Sequence, residues 1–322
     1  MALRTTEVVP AGEHPRARPP ARQAARRPAR GRDQGRNLFG YALLAPQMVG
    51  FLAIGVVALV WVVWLSLNHV NVLAGTQEFV GLANYTRILS DPNMATVLPN
   101  TFFFVCVLSI AGTIVALLLA LMLNQALRGI NIYRSIIFIP ALVTMVAWSL
   151  VWSFIVQPEG LLDAVLAFLG LDPLPWLRGG WLTLSVFAFI QLTKNVGINV
   201  MIFLGALQAV PQELIEAARI DGAGRMRVVR SVVVPQISPA ILMVFMLMIV
   251  GSFKVFEVVL ILTEGGPGVQ SSVLSFEIYK QAFKLNDVGY ASALSVLLFA
   301  LILLLTTAIW QVRKRVVFHE AD

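Results

Sequence analysis

From Leu98 to Leu123 the chain carries no charged side chain. Crossing the ~30 Å hydrocarbon layer of a bilayer at ~1.5 Å per residue takes about 20 apolar residues, and every backbone N–H and C=O in that layer must be satisfied within the segment. A run of this kind is a membrane-spanning helix, and it recurs. Six spans are expected: one within Leu38–Leu67, then Leu98–Leu123, Ile132–Ile155, Trp181–Leu207, Pro239–Leu262 and Gly289–Val312. Pro46 suits the first turns of the first span, where its missing N–H is not needed. Composition agrees. Of 322 residues 58% are hydrophobic and 13% charged, where a soluble domain is about a quarter charged, and mean hydropathy is +0.81. A water-soluble fold is excluded.

The net charge of +7 is a matter of placement. Nine arginines (Arg4, Arg16, Arg18, Arg22, Arg26, Arg27, Arg30, Arg32, Arg36) crowd residues 1–36 among prolines and alanines. Such a segment has too little apolar surface to fold. It reads as a disordered cytoplasmic tail that signals topology and meets anionic lipid, not nucleic acid. With the N-terminus inside, the inner segments also hold Arg128 and Arg134, then Arg219, Arg225, Arg227 and Arg230, then Arg313, Lys314 and Arg315. The outer connections hold only Arg87, Arg178, Lys280 and Lys284. That asymmetry predicts an even number of spans with both termini cytoplasmic. The layout is then a tail (1–36), a first helix with its outer loop (37–95), a transmembrane domain (96–312) carrying a cytoplasmic loop (208–238), and a short end (313–322). The outer stretch Leu161–Leu177 is expected to hold a short amphipathic surface helix. The lone Cys106 excludes an internal disulfide, and His14, His69 and His319 have no metal-ligand spacing.

Seven charges lie between Glu213 and Arg230, between the fourth and fifth spans. Each would cost ~2.5–3.5 kcal/mol at the bilayer centre, so the segment lies outside it. Pro211 suits a helix start and Glu213 its first turn. Leu214, Ala217 and Ala218 share a face at i, i+3, i+4. Gly222 gives a turn that only glycine enters without steric cost. A second helical piece is expected to end at Pro235. The physics leaves two readings: a helix resting on lipid, or a knob that another protein grips.

The arrangement Glu216-Ala217-Ala218, three residues, Gly222, nine residues, then Val232-Val233-Val234-Pro235 resembles the EAA loop of bacterial ABC importer permeases. Valines stand where that family more often has isoleucine and leucine. "EAARIDGA" is similar to the carbohydrate-importer branch, the group of maltose and glycerol-phosphate permeases. "FVGLANYTRIL" (Phe79–Leu89), "LTEGGPG" (Leu262–Gly268) and "GYASALSVLLF" (Gly289–Phe299) extend the resemblance over nearly everything after residue 37. Glu264 departs from it, standing where a glycine is common. The resemblance implies an all-α polytopic membrane protein with the six-helix core of a type I importer permease. It implies that Glu216, Ala217, Ala218, Asp221 and Gly222 couple the chain to a cytoplasmic ATPase dimer. It also implies a second, dissimilar permease subunit and an extracytoplasmic solute-binding protein as partners. A sugar is the implied cargo, and glycerol-phosphate or another solute the alternative.

The chain has no G-x-x-x-x-G-K-[ST] loop to cradle ATP phosphates. No cofactor is expected on it, with ATP and magnesium bound by the partner. No nucleophile–base cluster suggests an enzyme. A secondary transporter would leave the charged loop unexplained and ordinarily needs more intramembrane carboxylates than Glu257.

Substrate-lining candidates come from polar groups inside spans, which tend to face a cavity or another helix. Gln191, Asn195 and Asn199 form a stripe at i, i+4, i+8, with Lys194 beside it. Their amides suit sugar hydroxyls and equally suit bonds between helices. Trp148 and Trp152, one turn apart with Thr144 before them, could stack on a sugar ring or mark the membrane interface. Lys254 and Glu257, at i and i+3, are expected to neutralise each other. Asn100 and Thr101 read as polar residues at the outer edge of the second span.

Overall fold

The computed structural model describes residues 43–71, 75–125 and 128–316. The arginine-rich tail and residues 317–322 lie outside the described residues. Two compact units divide the chain, residues 1–56 and 57–322. In the first, the described backbone is helical and ends in a π-helical turn, Phe51–Val56.

The second unit is helical apart from one pair of antiparallel strands. After α1 (Val57–Ser66), strand β1 (Asn68–Asn71) pairs with β2 (Thr76–Phe79), in the register Asn68↔Phe79. Then follow α2 (Ala83–Ser90), α3 (Met94–Leu123), α4 (Ile130–Leu142), α5 (Met145–Val156), α6 (Leu161–Phe168) and α7 (Gly180–Gln208). The charged loop holds α8 (Gln212–Ile220), α9 (Arg225–Val228), a π-helical turn (Val229–Val233) and α10 (Val234–Gln236). The remainder is α11 (Ser238–Phe253), α12 (Glu257–Leu262), α13 (Leu274–Tyr279) and α14 (Val288–Val316).

Five stretches are long and apolar enough to cross a membrane: Leu43–Ser66, Met94–Leu123, Met145–Phe168, Gly180–Gln208 and Val288–Gln311. A sixth is counted if Arg225–Gln236 and Ser238–Phe253, bent by 71°, form one span. Two expected spans are interrupted. The third breaks at Val143 and Thr144, whose backbones are extended, and Thr144 Oγ1 caps the next helix by accepting from Ala147 N. The fifth breaks after Phe253, and helix resumes at Glu257. Helix α14 runs to Val316, past the expected end of the last span at Val312.

The core is built where α3, α7 and α11 meet, around Phe104, Leu108, Phe187, Val200, Phe203 and Val244. Small residues set the spacing. A Cβ on Gly197 would lie 2.4 Å from Ile137 O, so α7 touches the α4 backbone there. A Cβ on Gly112 would lie 2.2 Å from Met248 Cε, which fixes α3 against α11. In a membrane this contact packing takes the place of the hydrophobic effect as the association force.

Near the N-terminal ends of α3 and α14, three stretches distant in sequence are tied together. Arg87 donates to Asp287 at 2.6 Å and lies 3.9 Å from the centre of the Tyr290 ring. Tyr290 donates its hydroxyl to Asp91 at 3.1 Å. Asn84 Nδ2 donates to Ser66 O at 2.9 Å and Asn68 O at 3.0 Å, and a Cβ on Gly289 would lie 2.1 Å from that same Asn68 O. Asn100 and Thr101 are buried, not edge residues: Asn100 Nδ2 donates to Gln270 O and Ser272 O, and Thr101 Oγ1 accepts from Leu274 N. They hold the glycine-proline loop onto α3.

Candidate functional site

Helix α8 forms because Pro211 starts it, Glu213 sits in its first turn and Arg219 in its last, each matched to the macrodipole. Gln212 Nε2 donates to Glu216 Oε1 at 3.2 Å, bracing the first turn. The C-terminus closes as a Schellman motif. Ala223 N donates to Ala218 O and Gly222 N to Arg219 O, both at 3.0 Å, with Gly222 at φ 82°. Nothing lies within 4 Å of where a Gly222 Cβ would stand, so backbone conformation alone selects glycine.

The packing face of α8 differs from the expected one. Ile215 and Ala218 lie against the core, together with Ala223, while Leu214 and Ala217 are exposed. Outward on the other arc stand Glu213, Glu216, Ala217 and Ile220. Ile220 is 87% exposed and, beyond the turn, Met226 is 77% exposed. Both stand among charged residues on a loop that the transfer cost of those charges keeps out of the hydrocarbon. The sequence reading missed both. The available signal was an isoleucine four residues after Glu216, in an otherwise polar arc. Past the turn the helix does not stop at Pro235 but runs through it to Gln236, because the π-helical turn before it resets the bonding.

The polar stripe on α7 is divided by its surroundings. Asn199 is buried and donates from Nδ2 to Met248 Sδ at 2.9 Å, a link between α7 and α11. Gln191 Oε1 is buried with no hydrogen-bond partner. Asn195 and Lys194 are half-buried beside it. Trp148 Nε1 donates to Ile190 O at 3.2 Å, and Trp152 meets Phe189 edge-on with ring centres 5.5 Å apart. The indoles therefore border the Gln191 end of the stripe, and Trp152 packs edge-on against α7 itself.

Lys254 and Glu257 form no ion pair. The break after Phe253 separates them, leaving Lys254 exposed at the end of α11 and Glu257 in the first turn of α12, where its Oε2 accepts from Phe256 N at 3.4 Å. A different acid is buried nearby. Glu277 is 1% exposed; its Oε1 accepts from Gln281 at 2.8 Å and its Oε2 lies 3.6 Å from Lys280 Nζ. Among the described residues, no three of His, Cys, Asp or Glu gather closely enough to hold a metal.

Apolar stretches of spanning length, with a short amphipathic helix carried on a charged loop between two of them, define a polytopic membrane protein. The chain belongs to the family of binding-protein-dependent transport system inner membrane components, whose pattern matches residues 110–316. It is 32% identical over 278 residues to a probable ABC transporter permease protein, YurN, of Bacillus subtilis, covering 85% of this chain and 94% of that one. It is 32% identical over 276 residues to the trehalose/maltose transport system permease protein MalF of Thermococcus litoralis, covering 83% and 90%. The solved bacterial alginate ABC transporter, in complex with alginate pentasaccharide-bound periplasmic protein, holds a chain of the same fold: TM-score 0.77 at 19% identity, covering 90% of this chain and 99% of that one. The protein is thus an inner-membrane permease subunit of an ABC transporter.

Proposed function

We propose that this permease imports a sugar, as one of two dissimilar membrane subunits, with both termini in the cytoplasm. An ATPase dimer binding ATP and magnesium grips α8, and an extracytoplasmic binding protein delivers the cargo. The observation that carries the reading is the α8 knob: an acidic and apolar outward arc, Glu213, Glu216, Ala217 and Ile220, on a helix whose other arc is seated against the spans. Closure of the ATPase dimer would pull this lever, with Asp221 and Gly222 at its turn, and rock α7 against α11 between outward and inward openings. The relatives named for trehalose and maltose, and for arabinooligosaccharides in Bacillus subtilis, support a sugar cargo. So does the unpartnered Gln191 oxygen, which a sugar hydroxyl would satisfy. Gln191, Lys194 and Asn195, bordered by Trp148 and Trp152, are the proposed lining.

A second reading has one observation in its favour. Lys194 makes no ion pair among the described residues, and the sn-glycerol-3-phosphate permease UgpA of Yersinia pestis is 31% identical over 288 residues. A phosphorylated cargo would supply that lysine with an anion. The test is uptake by the complete complex reconstituted with its binding protein. Competition by neutral oligosaccharides and not by glycerol phosphate supports the sugar reading; the reverse overturns it. Transport without the ATPase would overturn the whole scheme.

A further inference from the structure

Beside the knob lies a cavity of about 490 Å³, open on one side and bounded by the ends of α3 and α7 and by the charged loop. Arg219, Arg225, Gln212 and Asn124 line it. So do the apolar Leu121, Leu207, Ile215 and Val233. Neither arginine makes an ion pair or side-chain hydrogen bond among the described residues, although Glu213, Glu216 and Asp221 are close in sequence. Gln212, Ile215 and Arg219, at i, i+3 and i+7, turn toward this cavity while Glu216 and Ile220 turn away from it. A third guanidinium stands next to it. Arg134 Nη2 donates to Leu123 O at 2.9 Å, one residue from Asn124, and its Nε is buried without a partner.

We propose that this cavity binds the phosphate of an anionic phospholipid, its headgroup on Arg219 and Arg225 and its acyl chains leading out into the bilayer. Uncompensated guanidinium groups favour phosphate, which they clasp with paired N–H donors. Leu121, Leu207, Ile215 and Val233 beside the arginines suit the glycerol end of a lipid, where a free anion would leave them against water. The site faces the cytoplasmic leaflet, where anionic lipid concentrates basic segments; that placement rests on the orientation proposed above. A lipid seated here would brace the inner arc of α8 while its outer arc stays free for the ATPase, so the lever's stiffness would depend on membrane composition.

The test uses the purified complete transporter in nanodiscs. Retention of phosphatidylglycerol is measured by native mass spectrometry and by competition with phosphatidylcholine. The double variant Arg219→Gln/Arg225→Gln should bind phosphatidylglycerol about 25-fold more weakly, the product of two cation–phosphate contacts worth about five-fold each. Arg219→Lys/Arg225→Lys, which keeps the charge and loses the paired donors, should bind more weakly than the unaltered protein and more tightly than the glutamine variant. In the unaltered protein, phosphatidylglycerol retention should fall as salt rises, a readout independent of how the variants assemble. Equal binding of phosphatidylcholine, no loss in the glutamine variant, or no salt dependence would overturn the proposal. Inorganic phosphate binding as tightly as the lipid would show a free anion to be the ligand and overturn it as well. Sidedness is read separately, in a Cys106→Ser background, by labelling Met226→Cys from outside intact cells. Labelling there would refute the orientation without touching anion binding.

Discussion

Glu264 sits at φ 51°, a left-handed backbone that a side chain enters at a cost. This is the position where the resemblance expects glycine. The glutamate instead pairs with Lys284 on the following helical segment. The two effects oppose each other: exposed ion pairs contribute about 0–1 kcal/mol and the strained backbone costs about 1–2. Glu264→Gly is therefore expected to leave the thermal midpoint of the purified complex unchanged or slightly raised, while Glu264→Val, which loses the pair and adds a branched Cβ, lowers it. Gly222 is the converse case. Its turn needs φ 82° and nothing surrounds it. Gly222→Ala should cost about 1 kcal/mol through backbone strain alone, seen as roughly five-fold weaker ATPase-subunit binding, with Gly222→Asn milder. Gly222 could be read from the sequence because only glycine reaches that conformation freely. Ile220 left only its apolar side chain in a polar arc as a signal, because exposure itself depends on which arc of α8 the spans cover.

At the scale of elements, close helix contacts carry the structure. Gly197→Leu should force α7 away from the α4 backbone at Ile137 and destabilise the complex by about 1–3 kcal/mol. A fall in its thermal midpoint with normal insertion checks this. Two neighbouring contacts clasp distant stretches together: Arg87 sits on Asp287 and over Tyr290, and Asn84 donates to Ser66 O and Asn68 O. Span positions were legible because hydropathy and length are local properties. The breaks at Val143–Thr144 and after Phe253 were not. Both were read as continuous spans, the fifth with Lys254 and Glu257 inside it, because a hydropathy window averages over the few residues where a helix stops and restarts. Lys254 and Glu257 looked like a neutral pair for the same reason, since their i, i+3 spacing assumed a continuous helix.

For the whole molecule, the proposed transport cycle assigns the coupling to α8. Glu216→Lys should abolish ATP-driven uptake while leaving membrane insertion intact, checked by transport in vesicles beside quantification of the inserted protein. Ile220→Asp should weaken capture of the ATPase subunit by ten-fold or more, since removing a buried apolar anchor costs about 1.5–3 kcal/mol. Pull-down against the unaltered chain measures it. Should uptake survive Glu216→Lys at normal levels, the coupling role proposed for α8 would fail.

The sequence by itself determined that this chain lives in a membrane, about how many times it crosses, and which loop stands apart. Those follow from transfer energies summed along a local window. Tertiary structure alone decided which arc of α8 is free, which amide of the α7 stripe is used in packing, and that two unpaired arginines line one cavity. Each of these depends on which distant residues come to lie across the gap, and no window of sequence contains that information.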